Sequence, residues 1–302
     1  MSSVVKSTRL FILTLLAMIA FASNSLLCRA ALKQTSIDAA TFTFVRIFCG
    51  AAALWLIMQM RNASAVAAVS PSRRGPAKAD DGRIHGSWAS ALALFVYAAA
   101  FSFAYVDLTA GTGALLLFGA VQATMILWGL HKGERLDAIQ IAGFVVAVTG
   151  LVVLVFPGLS APPLIGSILM LGAGVAWGIY SLRGKREKNP ASVTAGNFVR
   201  AVPFAAALSI IFVPWAHVDL AGVSYAIISG AITSGLGYVI WYSALPDLKA
   251  ASAATVQLSV PVLAATGGIL LLGEPLTLRY LLASIAILGG IALVVIEKNR
   301  PE

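Results

Sequence analysis

A chain of 302 residues that is 59% hydrophobic and 11% charged, with a mean hydropathy of +0.91, has more apolar side chains than one water-soluble core can bury. The composition excludes an ordinary soluble globule and predicts a membrane protein. A net charge of +9 would suggest a nucleic-acid partner for a soluble protein, but here the basic residues fall between apolar runs and mark membrane topology. No nucleic-acid partner is expected.

Ten apolar runs are long enough to cross a bilayer, which takes about 20 residues for roughly 30 Å of hydrocarbon. The first run is longer than a typical signal-peptide core and no Ala-x-Ala cleavage site follows it, so we interpret it as a transmembrane helix. We therefore expect an all-α integral membrane protein with ten transmembrane helices, at residues 10–28, 40–60, 88–106, 109–130, 137–156, 164–182, 194–214, 221–243, 250–272 and 276–296.

The positions of the basic residues predict the orientation in the membrane. With a cytoplasmic N-terminus, 16 of the 21 lysines and arginines lie on the inner side and three on the outer side. The remaining two, Arg46 and Arg200, lie within spans. The positive-inside rule then places both termini in the cytoplasm. The longest polar stretch, residues 61–87, mixes Pro, Gly, Ser and charge without periodicity, and is predicted to be a cytoplasmic linker.

The end of each half of the chain repeats the same pattern. Leu248 to Val295 match Leu108 to Val155 at a constant shift of 140 residues, and both copies contain the motif Leu-x-x-Gly-Glu-x-Leu between two apolar runs. The motif predicts a helical hairpin whose tip carries Glu134 in the first copy and Glu274 in the second. We expect each carboxylate to cap the helix that follows it.

The duplication continues upstream at a different shift. Arg29 corresponds to Arg183, and Phe44-Val45-Arg46 corresponds to Phe198-Val199-Arg200, both at a shift of 154 residues. Two five-helix repeats are therefore predicted. Because five is odd, the second must be inverted in the membrane relative to the first, as is usual for secondary transporters with a midplane site. The repeats span residues 1–156, including the linker, and residues 164–297.

Two arginines are the ionisable residues that lie deep within spans. Arg46 is about two turns inside the outer end of span 2, and Arg200 is at the mirrored depth from the inner end of span 7. Such residues are functional candidates, and this pair could contact a substrate carboxylate or act in gating. The alternative is a snorkelling or helix-capping arginine in each repeat. No Asp or Glu lies in the middle third of a span, which favours uniport over a proton or sodium relay.

Aromatic and amide side chains reach the predicted midplane. On span 3, Tyr97 and Phe101 share one helical face with Tyr105, and Tyr97 lies near the bilayer centre. The alternatives are an aromatic belt at the membrane surface for the rings of spans 6 and 8, and helix-helix contacts for the amides. The residues predicted to line a substrate cavity are Asn24, Tyr97, Phe101, Trp177, Tyr180, Tyr238 and Gln257.

Pro261 is predicted to kink span 9 at its centre. Proline lacks an amide hydrogen, so the carbonyl of Gln257 would lose its helical partner and would need a cavity or another protein group. We expect this kink to act as a gate; a static kink is the alternative. Cys28 and Cys49 lack partners at metal-ligand spacing, so neither a metal site nor a cofactor is expected.

Ten spans in two inverted halves, each with Leu-x-x-Gly-Glu-x-Leu before its last helix, resemble the EamA family of the drug/metabolite transporter superfamily. Ser23-Asn24, the Phe-x-Phe-Val-Arg segment ending at Arg46, and the region from Tyr97 to Leu108 are most similar to YddG-type exporters of aromatic amino acids. The resemblance implies a multi-pass carrier of the bacterial inner membrane. Its cavity would be lined by spans 1, 3, 4, 6, 8 and 9.

The sequence therefore predicts an exporter of amino acids, aromatic ones and other neutral ones, that works by alternating access; an efflux carrier for other small metabolites or drugs is the alternative. A small four-helix multidrug pump would need a glutamate in span 1, and residues 10–28 contain none. An enzyme is not expected, since no cluster of Asp, His or Ser lies near one face. The expected partners are a small-molecule substrate and the lipid bilayer, with a monomer favoured over a dimer.

Overall fold

The computed structural model describes residues 3–68, 85–158, 161–184, 189–244, 247–248 and 256–297. This part of the chain is all-helical, without strands. Eight helices are long and apolar enough to cross a membrane, and two, Trp88–Ala104 and Ser259–Leu272, are shorter apolar helices. The helices are α1 (Ser3–Gln34), α2 (Ala39–Ala68), α3 (Trp88–Ala104), α4 (Ala110–His131), α5 (Ala138–Val155), α6 (Leu164–Gly184), α7 (Pro190–Ile211), α8 (Leu220–Ala244), α9 (Ser259–Leu272) and α10 (Leu278–Glu297).

Each predicted span overlaps one of these helices, but α1 extends beyond residues 10–28 at both ends and α2 extends beyond residue 60. Helix α2 continues through Ala68, so the first part of the predicted linker at residues 61–87 is helical. The Ala-rich run Ala63 to Ala68 has high helix propensity, and the Pro-rich and Gly-rich part begins only after it. Residues 69–84 lie outside the described part of the chain. In the ninth predicted span, Val256 and Gln257 are helical, Leu258 interrupts the helix, and α9 begins at Ser259.

One end of the bundle gathers the turns α1–α2, α3–α4, α7–α8 and α9–α10; we call it the Glu274 end. Asp219 caps α8 by accepting from the Gly222 amide at 2.7 Å, and it also accepts from the Ser36 amide at 2.7 Å. These hydrogen bonds to the carboxylate lower the pKa of Asp219 to about 2. The α1–α2 turn is thereby tied to the start of α8.

The opposite end gathers the starts of α3 and α7 and the end of α6; we call it the Ser87 end. The Ser87 amide donates to Asn197 Oδ1 at 3.0 Å, and the His85 amide donates to Ser192 Oγ at 3.3 Å. Arg183 at the end of α6 donates from Nε to Ser90 Oγ at 2.9 Å. Side chains of α6 and α7 thus fix the first turn of α3.

Helices α5 and α10 pack mainly against each other, and large apolar side chains on both helices remain exposed, as expected where lipid covers them. Their contact depends on glycines that let the backbones approach closely. A Cβ atom at Gly143 would lie 2.7 Å from the carbonyl oxygen of Gly290, and a Cβ at Gly290 would overlap the carbonyl oxygen of Gly143. By contrast, Gly289 faces open space.

We expect Gly290→Ala to lower the Tm of the detergent-solubilised protein by several degrees, because overpacking of a close contact costs about 1–3 kcal/mol. Gly289→Ala is the matched control, since it adds the same methyl group one residue earlier, where nothing lies within 4 Å. It should leave the Tm unchanged or raise it. Equal effects of the two substitutions would contradict this account of the α5–α10 contact.

Candidate functional site

Aromatic rings from three helices meet at the centre of the bundle. The Trp177 ring of α6 lies between Tyr97 of α3, at a centroid distance of 4.8 Å, and Tyr238 of α8, at 5.1 Å. Phe101 follows Tyr97 at 5.4 Å, and Tyr180 stacks on Trp177 at 5.4 Å. We call these five residues the aromatic cluster. Tyr238 is 4% exposed and Trp177 packs between two other cluster rings, so both rings face other helices of the bundle.

Arg46 of α2 lies against this cluster and is 2% exposed. Its Nη2 donates to the Tyr97 hydroxyl at 3.1 Å and its Nε donates to Ser234 Oγ at 3.4 Å. The guanidinium carbon lies 4.8 Å from the centroid of the Phe101 ring and 5.3 Å from that of Tyr97. Aromatic faces attract cations, so the rings offset part of the lost hydration.

The hydrogen bonding of Arg46 is incomplete. Its Nη1 group is buried and has no hydrogen-bond partner, and no carboxylate among the described residues pairs with the guanidinium. An isolated buried cation is unfavourable because the protein does not replace the water that it has lost. Arg46 therefore presents a positive charge and a donor for which the described protein supplies no anion.

A close helix crossing holds Arg46 in place. Gly230 of α8 packs on the backbone of Arg46, and a Cβ at Gly230 would overlap the Arg46 carbonyl oxygen. One turn further along α2, a Cβ at Gly50 would lie 3.1 Å from the Gly230 carbonyl oxygen. Two glycines thus allow α2 and α8 to meet backbone to backbone beside the site.

Asn24 of α1 joins the site through a second set of hydrogen bonds. Its Nδ2 donates to the Tyr97 hydroxyl at 3.4 Å. Its Oδ1 accepts from Ser229 Oγ at 2.7 Å and from Thr233 Oγ1 at 3.3 Å. The Tyr97 hydroxyl therefore accepts from both Asn24 and Arg46, and this hydroxyl connects α1, α2 and α3.

The hydroxyl groups on α8 were not among the predicted site residues. Ser229, Thr233 and Ser234 lie in a π-helical segment, Ile228–Leu236, in the middle of α8. A π-helical turn is often found at functional sites. The sequence signal that could have located it is the small and polar run from Ser229 to Gly235 inside an apolar span.

A small cavity of about 20 Å³ lies within the cluster and is lined by residues of α1, α3, α4, α6 and α8, among them Asn24, Tyr97, Phe101, Trp177, Ser234 and Tyr238. Arg46 lies directly behind Tyr97, Phe101 and Ser234. A volume of this size holds about one water molecule. The walls must therefore separate before a metabolite can enter.

Other predicted residues lie outside this cavity. Tyr180 is buried behind Trp177 and its hydroxyl accepts from Asn197 Nδ2 at 3.4 Å. Gln257 is half-buried just before α9 and does not line the cavity. Arg200 is half-buried and donates from Nη1 to the Gly196 carbonyl of its own helix at 3.0 Å.

The kink at Pro261 stays a prediction. Val256 and Gln257 are helical, Leu258 is a turn with αR backbone angles, and α9 begins at Ser259, so the helical residues are interrupted three residues before Pro261. Pro261 lies in the first turn of α9, where proline breaks no hydrogen bond of that helix. A role for Pro261 in gating also stays a prediction.

Glu274 does not cap the helix that follows it, contrary to the expectation. Its Oε2 accepts from the Ala110 amide at the start of α4 at 2.8 Å, and its Oε1 accepts from Arg29 Nε at 3.1 Å. The carboxylate is 5% exposed and links the α9–α10 turn to α1 and α4. A larger cavity of about 210 Å³ opens beside Glu274, and none of the predicted site residues lines it.

Comparison with known proteins identifies the family. The EamA-like transporter family matches residues 164–296. An uncharacterized protein of Pseudomonas aeruginosa is 55% identical over 95% of this chain and 94% of its own length. The threonine/homoserine exporter RhtA of Escherichia coli K12 is 36% identical over 42% of this chain and 44% of its own. The chain belongs to the EamA-like transporter family. The family resemblance drawn from the sequence is confirmed; the similarity to aromatic amino acid exporters stays a prediction.

Two further comparisons give another relative and a solved structure. An uncharacterized transporter of Archaeoglobus fulgidus is 29% identical over 63% of this chain and 69% of its own. A solved crystal structure superimposes with a TM-score of 0.62 at 16% identity, covering 97% of this chain and 99% of that one. That structure supports the same fold from end to end. Family membership makes this a multi-pass membrane transporter.

We expect Tyr97→Phe to lower the Tm of this EamA transporter clearly, because Arg46 and Asn24 both lose an acceptor inside the bundle. Leaving a buried donor unsatisfied costs about 1–3 kcal/mol. Tyr225→Phe on α8 is the control, since the described residues offer its half-buried hydroxyl no hydrogen bond. It should leave the Tm almost unchanged. A Tyr97→Phe protein as stable as the wild type would show that the hydroxyl does not hold the site together.

Proposed function

We propose that this protein exports amino acids across the bacterial inner membrane and that Arg46 receives the substrate's carboxylate. The observation that carries the proposal is the buried guanidinium with a free Nη1 group and no carboxylate partner among the described residues. A substrate carboxylate would supply the missing anion and acceptor together. The partial similarity to threonine/homoserine exporters supports the same chemical class.

The contacts of Arg46 suggest how a carboxylate is received. In the present conformation the Tyr97 hydroxyl accepts from Nη2 at 3.1 Å while Nη1 has no partner. If Tyr97 turns aside as the cavity widens, Nη1 and Nη2 together can hold one carboxylate through two parallel hydrogen bonds. Tyr97 acts in this scheme as the acceptor that occupies the guanidinium between transport cycles.

The rest of the cavity suits the other parts of an amino acid. The faces of Trp177 and Tyr238 can attract an ammonium group. The same aromatic walls favour apolar and aromatic side chains, so aromatic amino acids and other neutral ones are the proposed range. No carboxylate among the described residues lines the cavity, which disfavours substrates with a second positive charge.

The proposed architecture is ten transmembrane helices in two inverted five-helix repeats, residues 1–156 and 164–297. The helix contacts support it. When both helices of a main contacting pair are replaced by their counterparts in the other half, the result is again a contacting pair. Helix α3 contacts α6 as α8 contacts α1, and α4 contacts α6 as α9 contacts α1. The pairs α2–α7, α4–α9 and α5–α10 each join a helix to its own counterpart.

Alternating access follows from this symmetry. Two repeats that are inverted copies of each other can exchange conformations, and the exchange opens the central cavity to the opposite side. With both termini in the cytoplasm, the Glu274 end faces the outside and the Ser87 end faces the cytoplasm. The substrate enters from the Ser87 end and leaves at the Glu274 end.

Counterflow in proteoliposomes tests the carboxylate contact. Labelled phenylalanine should accumulate in vesicles loaded with unlabelled phenylalanine, and the decarboxylated amine phenethylamine should compete poorly, because it cannot pair with Arg46. Arg46→Gln should reduce the rate by about a hundredfold per folded molecule, as expected when roughly 3 kcal/mol of a charged hydrogen bond is lost. Arg46→Lys should retain part of the rate.

Arg200→Gln is the control for this experiment, because Arg200 bonds to its own helix outside the cavity. It should transport at close to the wild-type rate. Wild-type counterflow by Arg46→Gln would refute the carboxylate contact. Efflux of a cationic dye such as ethidium without counterflow of any amino acid would favour the drug carrier instead.

A further inference from the structure

A buried ion pair ties together three segments at the Glu274 end. Arg29, 7% exposed near the end of α1, pairs with Glu274 at 3.1 Å. The Arg29 Nη1 group also donates to the backbone carbonyls of Tyr105 at 2.9 Å and Val106 at 2.7 Å. Glu274 in turn accepts from the Ala110 amide. We call this arrangement the Arg29–Glu274 contact.

The contact crosses from one half of the chain to the other. Arg29 and the α3–α4 turn belong to the first repeat, whereas Glu274 belongs to the second. Separation of the α9–α10 turn from α1 and α4 must therefore break the ion pair. While it is intact, it holds the bundle closed at the Glu274 end.

A row of rings connects this contact to the central cavity. Tyr105 follows Phe101 at a centroid distance of 4.7 Å, and Phe101 follows Tyr97 at 5.4 Å. The Tyr105 hydroxyl donates to the Ala110 carbonyl at 3.2 Å. A movement of Tyr97 on substrate entry can thus be passed along one face of α3 to the backbone groups that hold Arg29.

The duplicated sequence contains the same two residue types at the Ser87 end, but their burial and their contacts differ. Arg183 and Glu134, the counterparts of Arg29 and Glu274, are both exposed. Arg183 donates to Ser90 at 2.9 Å and to Ser87 at 3.4 Å, and the Glu134 carboxylate lies against Gly129 of the preceding helix. Equivalent residues are therefore buried at one end of the bundle and open to solvent at the other.

We propose that the Arg29–Glu274 contact is a latch that closes the Glu274 end, and that Arg183 and Glu134 form the equivalent latch at the Ser87 end in the opposite conformation. The inference rests on the alternating access proposed above. A buried ion pair suits a latch, because each charge stays buried only while its partner is present, and both regain water when the end opens. Loss of one partner destabilises the closed state selectively.

The native thiol of Cys28 can report whether the Glu274 end is open. Cys28 is fully buried and directly precedes Arg29 in the chain. In a Cys49→Ala background it is the only thiol of the sequence. A membrane-impermeant maleimide added to spheroplasts reaches the outer face alone, so the alkylation rate of Cys28 measures opening at that face.

Glu274→Gln should raise the alkylation rate of Cys28 by about tenfold or more, since Arg29 is then left without its counter-ion in the closed state. Glu274→Asp keeps the negative charge on a shorter side chain and should give an intermediate alkylation rate. It provides the test if the Glu274→Gln protein does not fold. Glu134→Gln should leave the rate unchanged or lower it, because it weakens only the latch of the opposite conformation.

Arg279→Gln is the matched control at the same end, since Arg279 donates to the Phe156 carbonyl at 2.6 Å outside the latch. It should not change the alkylation rate. An unchanged rate in both Glu274 variants, or an equal increase in Arg279→Gln, would overturn the latch. Amino acid counterflow by the wild type is measured separately, so a wrong substrate class and a wrong latch give different results.

Discussion

The buried guanidinium of Arg46 is the constraint on which the central site depends. A cation removed from water must be compensated by hydrogen bonds, by aromatic faces or by an anion. Here Tyr97, Ser234 and the Phe101 ring supply the first two, and Gly230 lets α8 come close enough for Ser234 to reach. The anion is absent from the described protein, and we assign that role to the substrate.

The two halves of the chain show how one sequence pattern can produce two environments. Arg46 and Arg200 occupy corresponding positions, yet Arg46 lies against rings and hydroxyl groups of other helices, whereas Arg200 bonds to a carbonyl of its own helix. Arg29 and Arg183 also differ, because Arg29 is buried against Glu274 whereas Arg183 is exposed and donates to Ser90. Under the proposed alternating access, this difference between Arg29 and Arg183 describes one conformation and is reversed in the opposite one.

Much of the fold could be predicted because lipid imposes a simple rule: apolar runs of sufficient length become helices. Depth within a span also located Asn24, Tyr97 and Arg46, which the structure joins through one tyrosine hydroxyl. Other features depend on tertiary packing and could not be read from spacing. Serine and threonine in helices commonly bond to their own backbone, so nothing singled out Ser229 or Thr233 as partners of Asn24.

One wrong expectation shows the limit of local sequence patterns. Glu274 was expected to cap the helix that follows it because the sequence shows only local partners, whereas the fold brings the Ala110 amide and Arg29 to it.

The structure of the protein with a bound amino acid would test the central claim most directly. It should show the ligand's carboxylate within hydrogen-bond distance of both Nη groups of Arg46, with the Tyr97 hydroxyl displaced. An amino acid bound with its carboxylate away from Arg46, and the Arg46–Tyr97 hydrogen bond intact, would contradict the account.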